Sequence, residues 1–282
     1  MGKVDRLGDR IGLSTYRRRC LLDDRFLSEL QGLLLRFAPQ WSSDLHIYID
    51  KRRRSTPLDV GDANALASAV ASQIARKGEV FHRLGGDTRA VLGTVELRGA
   101  TDALIAVISV DEREFFGRAG EWSFGNTVSL QMRGGQVDGR PIALWTREVF
   151  EALVDVFGPD YGYARTEQEY FAKNMCTQGG VWAVGRDISR HLPGIYWLNF
   201  FGKPYRDLID RHKLLTAPAS GKREIGNGVL LSLSDDPLSW NTEGYLQVEN
   251  AVLDHIGRQF FFSKQNPDRE TVAPDFGLRS GR

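Results

Sequence analysis

Three carboxylates, Asp111, Glu112 and Glu114, stand directly after an apolar stretch that has the composition of a β-strand. Acidic side chains grouped at a strand end can bind a divalent metal or transfer protons, as they do in nucleases and glycosidases. A strand end that faces solvent has the same appearance, and we favour that interpretation. A metal-dependent hydrolase or nuclease that uses these carboxylates is the alternative.

A second acidic pair, Asp235 and Asp236, closes another apolar stretch and precedes Pro237. This context is typical of carboxylates that cap a turn or face solvent. The pair could also contact a basic partner.

Other residue types that carry out catalysis occur without their usual spacing. Cys20 and Cys176 are too few for a disulfide framework or a thiolate metal site, and neither has the context of a nucleophile. No serine lies in a Gly-x-Ser-x-Gly element, and the glycine-rich segments lack the dinucleotide-loop and P-loop patterns. No two histidines are four residues apart, as a zinc-binding helix would require. The sequence therefore predicts no catalytic residue, no metal and no cofactor, and favours a protein that is not an enzyme.

Charge is nearly balanced, with 37 basic and 36 acidic residues and a formal net charge of +1. Such a chain has no overall field that attracts nucleic acid or a membrane surface. Its basic clusters, Arg17–Arg19 and Lys51–Arg54, lack aromatic residues that would stack on bases, so nucleic-acid binding is not favoured. The sequence also lacks the roughly 18 uninterrupted apolar residues of a membrane span and lacks a secretory signal, so we expect a cytoplasmic protein without membrane contact.

Periodicity predicts the elements of the first half. Apolar residues recur every three or four positions from Asp24 to Phe37, which indicates an amphipathic helix. Alternation over 45–50 predicts a strand, and the alanine-rich segment 62–77 predicts a second helix. Three β-rich runs follow at 91–97, 104–110 and 127–132, and the first two are close enough to form a hairpin.

A helix ending at Phe157, before Gly158 and Pro159, marks the midpoint. Beyond it, the patterns predict helices near 166–173, 205–211 and 242–256, and strands at 180–184, 195–201 and 229–233. Because strands are grouped without regular βαβ alternation, we predict an α+β fold with one or two largely antiparallel sheets covered by helices. The similar halves predict an amino-terminal lobe (1–140), a carboxy-terminal lobe (141–265) and an irregular tail (266–282), with one continuous domain as the alternative.

Two aromatic runs, Gly194–Gly202 and Phe260–Phe262, must be buried in a core or against a partner. Large aromatic side chains bury much apolar area, so we predict that the two runs pack in one core. Any part left exposed would mark an interface.

Three segments resemble bacterial toxin-immunity proteins, most nearly the immunity protein 52 family: Pro193–Gly202, Asp236–Trp240 and His255–Phe262. Tyr16 and Cys20 fit the Tyr-x-x-x-Cys spacing of that family. The family's Trp-x-Gly element is matched only by tryptophans with two residues before the glycine. The resemblance implies an α+β binding protein without catalysis, which blocks a nuclease-like toxin in a polymorphic toxin system such as one delivered by type VI secretion.

We therefore expect an immunity protein that binds a cognate toxin stoichiometrically. An acidic face would speed association with a basic nuclease. The carboxylates predicted to contact basic toxin residues are Asp111, Glu112, Glu114, Asp235 and Asp236. A scaffold module unrelated to toxins is a further alternative.

Overall fold

The structure is a computed structural model that describes residues 10–17, 24–37, 46–49, 56–57, 59, 61–69, 71–72, 92–98, 104–111, 126–133, 136–137, 140–176, 182–185, 188 and 190–274. The statements below concern these residues. None of the helices in these ranges combines the length and apolarity needed to cross a membrane.

Strands make up most of the described residues of the first half and alternate with helices in the second. In chain order, the strands are β1 (Arg10–Arg17), β2 (His46–Ile49), β3 (Thr56–Pro57), β4 (Leu92–Arg98), β5 (Leu104–Asp111), β6 (Asn126–Arg133), β7 (Gln136–Val137), β8 (Arg140–Pro141), β9 (Tyr161–Thr166), β10 (Met175–Cys176), β11 (Trp182–Ala183), β12 (Leu198–Phe201), β13 (Gly221–Ile225) and β14 (Gly228–Ser232). The helices are α1 (Asp24–Phe37), α2 (Ile142–Phe157), α3 (Glu167–Asn174), α4 (Lys203–Ile209), α5 (Arg211–Leu215) and α6 (Glu243–Ile256). Residues 65–69 and 71–72 are also helical.

One ten-stranded sheet dominates the described chain, in the order β13-β14-β12-β9-β1-β6-β5-β4-β2-β3. Every neighbouring pair in it is antiparallel. The predicted α+β class is therefore confirmed, as is the predicted hairpin of β4 and β5. The predicted lobe boundaries stay a prediction, although β1 from the first part pairs with β9 from the second.

Helices α1 and α2 cover one face of the sheet. Leu27 and Leu30 of α1 and Trp145 and Phe150 of α2 are almost fully buried, and they share a core with Leu13 of β1. Helix α2 ends at Gly158, whose left-handed backbone (φ 53°, ψ 55°) lets its N–H reach the carbonyl of Val154. The predicted glycine stop of this helix is thus confirmed.

A tyrosine-rich core occupies the opposite face. The rings of Tyr163 and Tyr196 stack with centroids 4.5 Å apart, and the hydroxyls of Tyr16 and Tyr163 lie 3.1 Å apart. Burial raises the pKa of Tyr196 well above its ordinary value, with further contributions from neighbouring tyrosines. Its hydroxyl consequently stays protonated and donates to the side-chain oxygen of Asn174.

Both aromatic runs are buried as predicted, but the first is divided between the two cores. Tyr196 and Phe201 share the tyrosine-rich core with the second run, whereas Trp197, Leu198 and Phe200 belong to the core beneath α1 and α2. Every residue from Ile195 to Phe201 is fully buried, and Phe260 and Phe261 belong to the same cluster as Tyr196. Only Phe262 is half-buried. The strand in the first run is shorter than predicted, because β12 begins at Leu198.

Helix α4 starts at a tight corner after β12. The N–H of Gly202 donates to the carbonyl of Asp160 (3.0 Å). A Cβ at Gly202 would lie 2.1 Å from the carbonyl oxygen of Pro159, which no side chain could tolerate. The helix predicted over 205–211 is present, but α4 ends at Ile209: Asp210, with φ 90°, separates it from α5.

Candidate functional site

Helix α3 begins at a capped amino terminus. The hydroxyl oxygen of Thr166 accepts a hydrogen bond from the N–H of Glu169 (3.1 Å), which satisfies one of the free donors of the first turn. Glu169 and Lys173 are four residues apart and therefore lie on one face of the helix. Their side chains form an ion pair, with 2.8 Å between Lys173 Nζ and Glu169 Oε1.

Helix α6 supplies two more side chains at this point. Tyr245 donates its hydroxyl to Oε1 of Glu169 (2.7 Å), and Oε1 of Glu249 lies 2.8 Å from Nζ of Lys173. Tyr245 and Glu249 are also four residues apart, so one face of α6 meets one face of α3. We call Glu169, Lys173, Tyr245 and Glu249 the carboxylate–lysine cluster.

Burial and the charges of the cluster partners act in opposite directions on the pKa values of Glu169 and Lys173, and in the same direction on that of Tyr245. Burial raises the pKa of Glu169 above its ordinary value of 4.5, although Lys173 and Tyr245 favour the ionised form. Burial alone would lower the pKa of Lys173, but the two carboxylates raise it above 10.5. Burial also raises the pKa of Tyr245, and the charge of Glu169 adds to this effect. Lys173 therefore stays charged and Tyr245 stays a donor at neutral pH.

Hydrogen bonding in the cluster is complete for the lysine and incomplete for one carboxylate. The third donor of Lys173 reaches the carbonyl oxygen of Ile195 (2.7 Å), so all three N–H groups have acceptors. Oε2 of Glu169 is buried and has no hydrogen-bond partner among the described residues. The cluster thus joins α3, α6 and the segment before β12, and retains one unmet acceptor.

An open pocket of about 380 Å³ lies beside the cluster, between α3, α6 and the segment that follows α6. Lys173 and Glu249 form part of its wall, so the cluster supports one side of the pocket. Apolar side chains complete the wall: Ile195, Trp240, Leu246, Leu253, Phe261 and Phe262. This combination of an apolar lining and a few placed charges is typical of a binding site.

Three further cations line the pocket, and they are held in different ways. Nε of Arg258 lies 2.6 Å from Oδ1 of Asp254, and this arginine lowers the pKa of that carboxyl. Lys264 instead donates to the carbonyl oxygens of Met175 (2.7 Å) and Ala172 (3.3 Å).

Arg269 is held by backbone as well. Its Nη2 donates to the carbonyl oxygens of Phe261 (2.6 Å) and Arg258 (2.7 Å). Nε of Arg269 is buried and makes no hydrogen bond within the described part of the chain. Lys264 and Arg269 thus bring positive charge to the pocket without a carboxylate beside it among the described residues.

Apolar side chains at the pocket edge are open to solvent. Leu246, which lines the pocket, is 41% exposed, and Leu238, two residues before Trp240, is 58% exposed. Trp240 is half-buried and packs against the tyrosine-rich core. We call Leu238, Trp240 and Leu246 the rim.

The predicted acidic pair Asp235 and Asp236 lies in the same segment as the rim. Both residues are exposed. Oδ1 of Asp236 accepts from the N–H of Leu238 (2.9 Å), so this carboxylate caps the 3-10 turn Pro237–Ser239, as its sequence context predicts. Oδ1 of Asp235 lies 3.6 Å from Nη2 of the half-buried Arg147, and an ion pair with a fully exposed carboxylate contributes little stability. Their contact with a partner stays a prediction.

The other predicted group cannot be placed at the pocket. Asp111 is the last residue of β5, where its backbone pairs with Leu92. Its side chain, and the whole of Glu112 and Glu114, lie outside the described residues. Their role as partner contacts or as ligands of a hydrolase metal therefore stays a prediction. Among the residues that are described, no group of three or more His, Cys, Asp or Glu side chains is arranged to hold a metal ion.

Sequence reasoning did not identify the pocket. Lys264 and Arg269 stand in a polar segment without a motif, and only the fold brings them to α3 and α6. The sequence did contain one indication of the cluster. Glu169 and Lys173 are four residues apart, as are Tyr245 and Glu249, and residues with this spacing lie on one face of a helix. Because 76 residues separate Tyr245 from Glu169, no local pattern indicated that the two pairs are in contact.

Known proteins resemble this chain in structure and not in sequence. No model of a known protein family matches the chain, and no curated protein matches it. The resemblance to the immunity protein 52 family thus finds no support here. The structure is similar to that of the Pseudomonas aeruginosa T6SS protein PA0821, with a TM-score of 0.51, 12% sequence identity, and coverage of 94% of this chain and 78% of that chain. At this identity, the likeness shows a shared fold alone.

Proposed function

We propose that this chain is an immunity protein of a type VI secretion system or related polymorphic toxin system, which binds and neutralises a cognate toxin. The observation that carries the proposal is the rim: apolar side chains left open to solvent beside a pocket with charged walls. The fold shared with a T6SS protein of Pseudomonas aeruginosa supports the secretion context.

The rim has the features of a binding surface. Scattered exposed apolar residues are normal on any protein, but here an exposed leucine and a half-buried tryptophan border one pocket. Tryptophan is enriched among the residues that dominate binding energy, and polar residues around such an anchor exclude water. Asp235 and Asp236 would form part of that polar surround.

Neutralisation would follow from occlusion. The rim and pocket lie on a well-packed scaffold, which limits the ordering cost when a partner binds. In this proposal the toxin is nuclease-like and is met in the cytoplasm, and the exposed carboxylates Asp235 and Asp236 steer its basic surface toward the rim. The described residues provide no observation that favours the hydrolase alternative.

The experiment that tests this function uses the tagged full chain as bait in its native cells. Proteins that co-purify are identified by mass spectrometry, and each is expressed with and without this chain in a growth assay. We expect one stoichiometric partner that arrests growth unless this chain is present. A chain that co-purifies with no growth-arresting protein would refute the immunity function.

A matched pair of variants then locates the surface. In this proposal Leu246 lies at the centre of the contact, where apolar residues contribute most of the binding energy. Leu246→Asp places a charge there and should lower affinity for the partner by at least about tenfold. Leu144→Asp is the control, because Leu144 is similarly exposed (49%) on α2 and does not line the pocket. Calorimetric titration should find the control within about twofold of the unmodified chain. Equal effects of the two variants would show that the rim is not the contact.

A further inference from the structure

We infer that the pocket receives an acidic side chain, aspartate or glutamate, carried on a partly apolar protruding segment of the protein partner. This inference rests on the proposed function and specifies the chemistry of the contact. It differs from the sequence-based expectation, in which the carboxylates of this chain contact basic residues of the toxin.

The charge of the pocket wall determines whether the pocket favours an acidic or a basic side chain of the partner. The carboxylates near the wall already have cationic partners: Glu249 contacts Lys173, and Asp254 contacts Arg258. Lys264 and Arg269 have backbone carbonyls as acceptors and form no ion pair with a carboxylate of the described chain. A carboxylate entering the pocket would be attracted to both cations, whereas a lysine or arginine would be repelled by them.

An unmet donor supports the same assignment. Nε of Arg269 is buried without a hydrogen-bond partner in the described chain. Leaving a buried donor of a charged group unsatisfied is costly, and a carboxylate bound beside Arg269 would bring an acceptor to this side chain. Bonds between a guanidinium and a carboxylate are among the strong hydrogen bonds of proteins.

The apolar wall defines the rest of the occupant. Trp240, Leu246 and Phe262 line the pocket together with the cations, and Leu246 is substantially exposed. A free small anion would leave these side chains facing water. A protruding segment with an apolar residue next to its carboxylate would cover them and use both kinds of wall.

The test begins with the complex of the full chain and its co-purified partner. A carbodiimide condenses a carboxylate and an ammonium group that are in contact into an amide, with loss of water. Treatment of the complex should link Lys264 to one aspartate or glutamate of the partner, and mass spectrometry of the digest would identify that residue. The reaction needs no assumption about which partner is found.

Affinity measurements complete the test. Lys264→Glu should weaken binding of the purified partner by at least about tenfold, and raised salt should narrow this difference. The control is Lys222→Glu, because Lys222 is also an exposed lysine bonded to a backbone carbonyl, that of Ala219, and it does not line the pocket. The control should change affinity less than about twofold. Replacing the linked partner carboxylate by lysine should restore binding to Lys264→Glu.

The outcomes separate this inference from the proposed function. A partner that binds and is neutralised equally well by the unmodified chain and Lys264→Glu, without a link to Lys264, would overturn the acidic occupant and leave immunity intact. A chain that protects against no toxin would overturn both. A link to Lys264 together with selective loss of affinity would support the inference.

Discussion

Glu169 is the residue whose environment departs furthest from what a carboxylate ordinarily has. It is fully buried, its Oε1 accepts from Lys173 and Tyr245, and its Oε2 has no partner in the described chain. Removing a carboxylate from water is costly, and its hydrogen bonds offset only part of that cost. The protein therefore holds this charge at the expense of stability, and the raised pKa of Glu169 is the measure of that expense.

The dependence on pH follows from that shift. The folded-state pKa of Glu169 lies above the ordinary value of 4.5, so the folded chain binds this proton more tightly than the unfolded chain does. Its contribution is favourable below about 4.5 and is lost as the pH rises through the raised folded-state pKa. Each unit of difference between the folded-state and unfolded-state pKa changes the free energy of unfolding by about 1.4 kcal/mol. Glu169→Gln removes the ionisable group. We therefore expect the variant to lack this part of the decrease in the free energy of unfolding with rising pH.

Urea unfolding of both proteins between pH 4 and pH 8 measures the effect. The difference in free energy of unfolding between Glu169→Gln and the unmodified chain should shift in favour of the variant as the pH rises. A difference that stays constant with pH would show that the carboxyl of Glu169 ionises as it would in water.

Lys173 should be far more important to stability than an exposed lysine with the same local pattern. Lys173→Met leaves Glu169 buried beside a second carboxylate and should cost about 3–5 kcal/mol. Lys203→Met is the control, because Lys203 also pairs with an acid four residues away, Asp207, and both side chains are largely exposed. The control should change the free energy of unfolding by less than about 0.5 kcal/mol. Chemical denaturation of the two variants measures both values, and similar costs would contradict this account of the cluster.

At the scale of secondary-structure elements, the sequence predicted a helix or strand well where one of its faces is buried and the other is exposed to solvent. Helix α1 has one buried and one exposed side, so its apolar period was visible, and its bounds were predicted to the residue. Strands β1 and β9 were missed: β9 is buried at every position and β1 at all but its ends, because both lie between two layers of side chains. Such strands have no alternation to detect. β1 also ends in Arg17, which in the sequence belongs to a basic cluster.

The site was predictable only in part for a related reason. The segment of Asp235 and Asp236 was selected because it follows a clear strand, and it does border the rim. The pocket itself forms where α3, α6 and the following segment converge, and sequence patterns describe each element alone. Contacts between distant elements, such as Tyr245 with Glu169, have no local signal.

The corner between β12 and α4 yields a prediction about glycine. Gly202→Ala would place a methyl group against the carbonyl oxygen of Pro159 and should destabilise the protein by about 3 kcal/mol or more. Gly244→Ala in α6 is the control, since nothing lies within 4 Å of its Cβ position and alanine favours helix. The control should leave stability unchanged or raise it by up to about 1 kcal/mol. Melting temperatures that fall equally in both variants would contradict the packing of this corner.

At the scale of the whole molecule, one edge of the sheet is kept from pairing by its charges. β13 is the outermost strand at that edge, and its central residues Lys222, Arg223 and Glu224 are exposed. Charged residues on an edge strand discourage pairing with a second chain. Replacing Lys222 and Arg223 together by valine should therefore cause self-association that rises with protein concentration.

Sedimentation velocity at several concentrations measures this association. The control replaces Lys203 and Asp207 on α4, which are likewise exposed, by valine. The control should stay at the sedimentation coefficient of the unmodified chain. Association of both variants to the same degree would indicate nonspecific hydrophobic association rather than pairing through the edge strand.

The position of β1 also sets the order of events during synthesis. This strand leaves the ribosome long before its neighbours in the sheet: Ser14 contacts Ser129, 115 residues away, and Tyr16 contacts Tyr163, 147 residues away. Closing such long loops slows folding, because their entropy is lost before the contacts form. β1 cannot pair with both of its neighbours in the sheet until β9 has been synthesised. A ribosome that stalls between the synthesis of β1 and residue 166 therefore leaves β1 without its partner β9 and the middle of the sheet unfilled.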